Sequence, residues 1–294
     1  MAVEGVTSPV ARAPLGRRIV QRLTTGPVAV FLVVVALLWL VPTIGLLVAS
    51  FRDAADNGAT GWWTAIVHPA QLTLESYRNV LGNPDMVRSF WNTALITVPA
   101  SALVVVIAAA AAYAFAWIPF RGRDWLFLIV VALLVVPLQI ALIPVARLYN
   151  VLGLFGTIPG VVLFHVAFGL PFAIFLLRNF FIGIPSELLE AARMDGAGEL
   201  MVFRRVVLPL GIPAIASLLI FQFMWVWNDL LVALVFSSSS TQPLTVTIRE
   251  QLRSFGGNID VIAPAAFLQL VVPLIVFFAF QRYFVQGLLA GSQR

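Results

Sequence analysis

The chain contains neither cysteine nor lysine. Without cysteine there can be no disulfide, thiolate metal site or cysteine nucleophile. Without lysine there is no P-loop, because that loop needs a lysine to reach the β- and γ-phosphates. If ATP drives the function of this chain, another subunit must bind the nucleotide and its magnesium. Histidine is also scarce: His68 and His165 are the two present, and they do not have metal-ligand spacing. Charge is the third shortage. Only 11% of the 294 residues are charged and 61% are hydrophobic, whereas soluble domains are about a quarter charged. Such a composition belongs to an integral membrane protein. All 18 basic residues are arginine, and they sit mostly at the edges of apolar runs. That is the distribution of membrane anchors and not the one-faced cluster of a nucleic-acid binder. The lipid bilayer is therefore an expected partner and nucleic acid is not.

A helix needs about 20 apolar residues to cross the hydrocarbon, and six stretches qualify. They are Pro27–Ser50, Phe90–Trp117, Trp125–Leu148, Ile158–Phe181, Leu210–Phe236 and Ala263–Phe284. The first is too long for the hydrophobic region of a signal peptide and reads as a retained helix. The expected fold is all-α and integral to the membrane, with a tail of residues 1–26 and a six-helix domain over 27–294. With a cytoplasmic N-terminus, the inner segments carry 12 arginines and the outer ones 6, as the positive-inside rule requires. Both termini are then cytoplasmic. Ala108, Ala112 and Ala116 form a small-residue ladder that suits close helix packing, and Gly156 and Gly160 repeat the spacing. Trp62 and Trp63 read as interfacial anchors. Prolines 137, 144, 171 and 273 interrupt spans, which is tolerated where neighbours or a water-filled path satisfy the freed backbone.

The densest polar segment is IPSELLEAARMDGAGELMVFRRVVLP, residues 184–209, between the fourth and fifth spans and on the inner side. Pro185 stops the preceding element, Ser186 suits an N-cap and Glu187 suits the positive end of a helix dipole. A short helix over Glu187–Met194 should end at Asp195-Gly196, with Gly196 supplying a left-handed turn. A second helix, Gly198–Val207, should run to Pro209. Leu188, Leu189 and Ala192 should share one face, while the small Ala191 and Ala192 allow close approach and Glu190 offers a charge at the rim. By spacing alone, an interfacial helix lying on headgroups fits as well as a docking element does.

The order Glu190-Ala191-Ala192, Gly196, Val206, Leu208, Pro209 resembles the EAA loop of binding-protein-dependent ABC importer permeases, with Val206 where isoleucine is usual. LTLESYRNVL (72–81), FWNTALIT (90–97), WND (227–229) and QRYFVQGLLAGSQR (281–294) look like the maltose/sugar type of that family. The stretch from Gln251 to Gly291 looks most like permeases assigned to α-glucosides. The resemblance implies a MetI-like permease fold in which residues 182–209 form cytoplasmic coupling helices. These would dock in a cleft of an ATP-binding subunit through Glu190, Ala191, Ala192, Asp195, Gly196, Val206, Leu208 and Pro209. It also implies a second permease subunit, a dimer of ATPases holding ATP and magnesium, an extracytoplasmic sugar-binding protein and a bacterial inner (plasma) membrane location. The chain itself would be non-catalytic, and its tail from Gly287 to Arg294 would reach the ATPase pair. The outer segment from Ser237 to Val261 would face the binding protein, or else be an ordinary solvated loop.

Polar residues at membrane depth are candidates for a path. Asp229 lies within the fifth span, where a charge costs about 2.5–3.5 kcal/mol on insertion scales. It either lines the path or is a structural carboxylate bonded to neighbouring helices, and the second role suits a permease for neutral sugars. Asn228, His165, Gln139, Gln222 and Gln269 are further candidates for substrate contact. Two other readings compete with the importer subunit. One is a self-sufficient ion-coupled carrier using Asp229, which would have no use for a docking pair, and the other is a membrane scaffold, which would need no broken helices.

Overall fold

The computed structural model describes residues 15–253 and 258–292, with side chains over 26–252 and 258–281. Most of the described residues are helical, and α1 (Leu15–Ser50) begins inside the expected tail. Three short α-helices and a 3₁₀ turn (Pro69–Gln71) follow, at the end of the bundle that the arginine bias assigns to the outer side: α2 (Ala54–Ala59), α3 (Thr64–Val67) and α4 (Glu75–Gly82). The long α5 (Pro84–Trp117) leads to α6 (Arg123–Leu133) and α7 (Leu138–Leu152), and then to α8 (Ile158–Phe181). Next come α9 (Ser186–Met194), a continuous α10 (Glu199–Trp227), α11 (Leu231–Phe236), α12 (Leu244–Arg253) and α13 (Ile259–Ser292). Among the described residues five helices are long and apolar enough to span a bilayer, or six if the α6–α7 pair counts as one span.

The centre is α5 against α8, with α10 packed on both, while α13 lies against α10 and α1. The buried face of α5 explains this arrangement. Its residues step every three or four positions through Ser89, Thr93, Thr97, Ser101, Val104, Ala108 and Ala112, the spacing of a single helix face. Ala108 and Ala112 are fully buried in the main core, so the small-residue ladder does bring backbones together. The polar half of the same face holds the outer loops. Ser89 shares a 2.6 Å hydrogen bond with Thr247, and Thr93 accepts from the Leu244 N–H at 2.9 Å. Asn92 donates to the carbonyls of Ser240 and Gln242 at 3.0 and 3.1 Å. By contrast α1 exposes almost its whole apolar surface, including Trp39 at 80%. Such a surface is stable only against lipid or another protein.

Several expectations need correction. The third span is not one straight helix: α6 and α7 meet at 99°. Pro137 has no N–H and pushes the residue before it out of the helical region, so Leu134, Val135 and Val136 close a tight last turn onto Val131, Ala132 and Leu133. The fifth span also stops early, at Trp227, and resumes as α11 after a break at 228–230. Gly156 stands before α8 with φ +75°, so it makes no helical ladder with Gly160. It anchors the outer loop, taking hydrogen bonds on its carbonyl from Ser238 at 2.9 Å and Thr241 at 2.8 Å. The segment beginning at Ser237 is therefore pinned where it starts and is not a free solvated loop. Trp62 packs against α1 at Gly45, where an added Cβ would lie 2.7 Å from the indole nitrogen, whereas Trp63 is exposed as an anchor would be.

The outer cap is organised by a fully buried arginine, Arg52. Its guanidinium donates to the Asp56 carbonyl at 2.8 Å, to the Thr60 carbonyl at 3.2 Å and to the Thr60 hydroxyl at 2.5 Å. Ser76 in turn donates to the Arg52 carbonyl at 2.9 Å. Hydrogen bonds from a charged donor are worth about 1.5–3 kcal/mol each, and removing the guanidinium breaks all of these at once. Arg52→Met is expected to lower the thermal unfolding midpoint in detergent by about 5–10 °C, given roughly 2–4 °C per kcal/mol for a chain of this size. An unchanged midpoint would mean that water replaces the guanidinium at no cost.

Candidate functional site

The segment between α8 and α10 forms two helices joined by a tight turn. After Phe181 the chain coils through Ile182–Ile184, with Ile184 buried, and Pro185 takes an extended conformation. Ser186 is the first helical residue and not the N-cap, and no side chain caps this helix, whereas Glu187 does occupy the first turn. The far end closes as a Schellman motif. Gly196 N–H donates to the Arg193 carbonyl and Ala197 N–H to the Ala192 carbonyl, both at 3.0 Å. Gly196 adopts φ +84°. A Cβ there would meet no atom within 4 Å, so the requirement for glycine is conformational and not steric.

The inner face of α9 is narrower than the sequence suggests. Leu189 is fully buried in the main core, and Ala192 and Ala197 pack beside it. Leu188, expected on that face, is instead exposed, together with Glu190, Ala191, Met194 and Asp195. Met194 is 88% exposed and Leu200, on the following helix, 65%. The outward side therefore carries apolar tips within an acidic rim of Glu187, Glu190 and Asp195.

Glu199 holds this pair to the bundle. Its two carboxylate oxygens accept from Arg193 Nε at 2.9 Å and Nη2 at 3.2 Å. The second oxygen also accepts from the Tyr113 hydroxyl, near the inner end of α5. Tyr113 is buried, and its ring lies 5.1 Å from that of Phe203. Glu199, Arg193 and Tyr113 are functional candidates that sequence reasoning missed. The one signal available was a tyrosine set in a run of alanine and valine, where its hydroxyl would need a partner.

The expected end of the second helix at Pro209 does not occur. Glu199–Trp227 runs as one helix with a wide turn over Phe203–Val207, where Leu208 N–H donates to the Phe203 carbonyl five residues back. Pro209 lacks the N–H that would otherwise bond the Arg205 carbonyl, and its ring would crowd that carbonyl. A π-turn relieves this crowding. Val206 and Leu208 are half-buried against the core, while Pro209 is exposed.

The polar residues at membrane depth separate into distinct places. His165 is buried, with Nε2 3.7 Å from an Asp229 carboxylate oxygen. Asp229 accepts from the N–H groups of Val232 at 3.4 Å and Ala233 at 3.0 Å, so it caps α11 where the fifth span breaks. Both residues border a void of about 10 Å³, together with Thr93 and Thr97. This geometry favours the structural role for Asp229. Asn228 is exposed and donates back to the Met224 carbonyl at 2.9 Å. Gln269 is also structural: it and Trp227 exchange hydrogen bonds of 2.8 and 2.9 Å. Gln222 is buried and lines a cavity of about 270 Å³ between α8 and α10. Gln139 is exposed in the first turn of α7 and borders neither cavity. Among the described residues no cluster of histidine and carboxylates has the makings of a metal site.

Residues 104–289 match the family model described as the inner membrane component of binding-protein-dependent transport systems. The chain is 47% identical to the osmoprotective compounds uptake permease protein GgtD of Synechocystis, over 90% of this chain and 91% of that one. It is 48% identical to the alpha-glucoside transport system permease protein AglG of Rhizobium meliloti, over 84% of this chain and 66% of that longer one. Among solved structures it resembles a chain of a bacterial ABC transporter involved in the import of the polysaccharide alginate. The TM-score there is 0.73 at 24% identity, over 94% of this chain and all of the other, a likeness that speaks to fold. The expected permease fold is thus the observed one, and a self-sufficient ion-coupled carrier is set aside. The chain belongs to the family of inner membrane components of binding-protein-dependent transport systems, as a membrane-spanning permease.

Proposed function

We propose that this permease forms half of the translocation path of an ATP-driven carbohydrate importer and transmits the work of a separate ATPase through residues 182–209. The cargo reading comes from relatives named for sugar transport, among them an alpha-glucoside permease and arabinooligosaccharide permeases. An α-glucoside is the preferred cargo. The rest of the assembly would comprise a second permease, a dimer of ATP-binding subunits holding ATP and magnesium, and an extracytoplasmic binding protein. The chain itself would carry no catalysis, in keeping with its lack of lysine.

One observation carries the mechanical part: the α9 pair is fixed on one side and open on the other. Leu189 and the Tyr113–Glu199–Arg193 group fasten it inward. Leu188, Met194 and Leu200 face outward beside Glu190, which would meet a basic group on the ATPase. Exposed apolar tips with a charged rim suit a protein cleft, where charge complementarity sets the register. A helix lying on headgroups would instead sink its apolar face into lipid, but here the most buried residue of α9 points into the bundle. Closure of the ATPases would then move a rigid lever continuous with α10. The tail from Gly287 offers no further support, since its side chains lie outside the described set.

Gly196→Pro tests the lever. Proline cannot adopt φ +84° and removes the N–H that closes the turn. The variant is expected to insert at normal levels and to lose ATP-coupled uptake in proteoliposomes containing the whole assembly. Unchanged uptake would refute the coupling role. Orientation can be tested separately because the chain is free of cysteine. A membrane-impermeant maleimide should label Arg121→Cys only from the cytoplasmic side and Glu75→Cys only from the outer side. The reverse pattern would invert the proposed topology.

A further inference from the structure

A recess at the start of α6 brings charge and aromatic surface together at one end of the bundle. Its volume is about 550 Å³, and its lining includes Phe120, Arg121, Arg123, Asp124 and Trp125. Neighbours at the ends of two spans fix its level. Trp117, the last residue of α5, donates its indole N–H to the carbonyl of Phe181, the last residue of α8, at 3.0 Å. Arg178, in the last turn of α8, holds its guanidinium carbon 4.0 Å from the centre of the Phe127 ring on α6. Its Nε donates to the Phe115 carbonyl at 3.4 Å, and it lies within electrostatic range of both Arg123 and Asp124. The recess therefore sits where the spans leave the hydrocarbon, at the end of the bundle that carries residues 182–209.

The charges there do not balance. Arg123 Nε meets an Asp124 carboxylate oxygen at 3.3 Å. Among the described residues Arg121 has no hydrogen-bond or ion-pair partner, and neither do the two terminal nitrogens of Arg178. Three guanidinium groups thus stand beside one carboxylate, and two positive charges are left over. The helix that starts here buries none of its residues. Trp125 is 73% exposed, and Leu126, Ile129 and Leu133 are also exposed, at the spacing of one helix face. A small soluble anion would satisfy the arginines and leave this apolar strip bare. A phospholipid satisfies both, with its phosphate at the arginines and its chains along the strip. Tryptophan favours headgroup level, and basic pockets beside membrane helices take anionic headgroups. A zwitterionic headgroup would bring an ammonium that the surplus charge repels.

We propose that this recess binds the headgroup of an anionic phospholipid, with the phosphate held by Arg121, Arg123 and Arg178 and the acyl chains lying along Leu126, Ile129 and Leu133. The complete assembly, purified in detergent, is titrated with phosphatidylglycerol or phosphatidylcholine carrying brominated acyl chains, which quench tryptophan emission on contact. The signal read is that of Trp125, taken as the difference between each protein and its own Trp125→Phe control. Half-quenching should need about tenfold less phosphatidylglycerol than phosphatidylcholine. Arg121→Gln and Arg123→Gln should each raise the phosphatidylglycerol requirement about fivefold, the factor for one arginine beside an anionic headgroup, and leave that for phosphatidylcholine unchanged. Arg121 is exposed and Arg123 half-buried, so both variants should keep their partner subunits on purification. Arg147→Gln, which removes an exposed arginine from α7, should alter neither requirement. Inorganic phosphate in excess should not displace the bound lipid. Equal quenching by the two lipids, or an unchanged preference in the two arginine variants, would overturn the proposal. Displacement by inorganic phosphate would overturn it in favour of a soluble anion. Quenching by neither lipid would overturn it as well, since protein would then cover this face of α6 in the assembly.

Discussion

The carboxylate of Glu199 determines what kind of object the inner face of this protein is. It joins the turn of α9 through Arg193 to the inner end of α5 through Tyr113. The ion pair alone contributes little, since both partners are partly exposed and such pairs are worth at most about 1 kcal/mol. Its importance is geometric. Two oxygens receive three donors from two separate elements, and Leu189, on the same helix as Arg193, is fully buried in the core. A short amphipathic helix of nine residues would not hold its shape alone in water. Fastened in this way it is joined to both α5 and α10, which is what the proposed coupling role requires of it.

The same requirement, that backbone groups at membrane depth be satisfied, governs the breaks elsewhere. At Pro137 the span folds back by 99° over a tightened turn. At 228–230 the fifth span breaks, and Asp229 supplies acceptors for the freed N–H groups of α11. The Asp229 carboxylate, for which the sequence already favours a structural role, therefore acts as a helix cap, with His165 beside it. The outer half of the α5 face binds loops through serine, threonine and asparagine, and its inner half binds helices through alanine. One helix thus divides the molecule into a polar-pinned outer cap and a close-packed inner bundle.

Much of this was legible from residue order. Long apolar runs located the spans, because a membrane helix must satisfy its backbone within the segment. Glycine at 196 announced the left-handed turn, since few other residues adopt it. The errors share a cause. Ser186 reads as a cap and Leu188 as part of the buried face because local pattern cannot say how a helix is rotated against its neighbours. Pro209 looked like a stop, but a π-turn one step earlier allowed the helix to continue. The Tyr113–Glu199 contact joins residues 86 positions apart, beyond any local spacing rule. Gln222 reads as polar at membrane depth, but its aromatic surroundings come from two helices and appear only in the folded chain.

The absence of native cysteine allows the open side of α9 to be probed directly. A single cysteine replacing Met194, at the exposed tip of the pair, should form a crosslink to a cysteine placed in the docking cleft of the ATPase subunit. A cysteine replacing the buried Leu189 should form none. Efficient capture of the ATPase from position 194, altered by nucleotide, is the result this account predicts. No capture from position 194 in an assembly that still imports its cargo would contradict it.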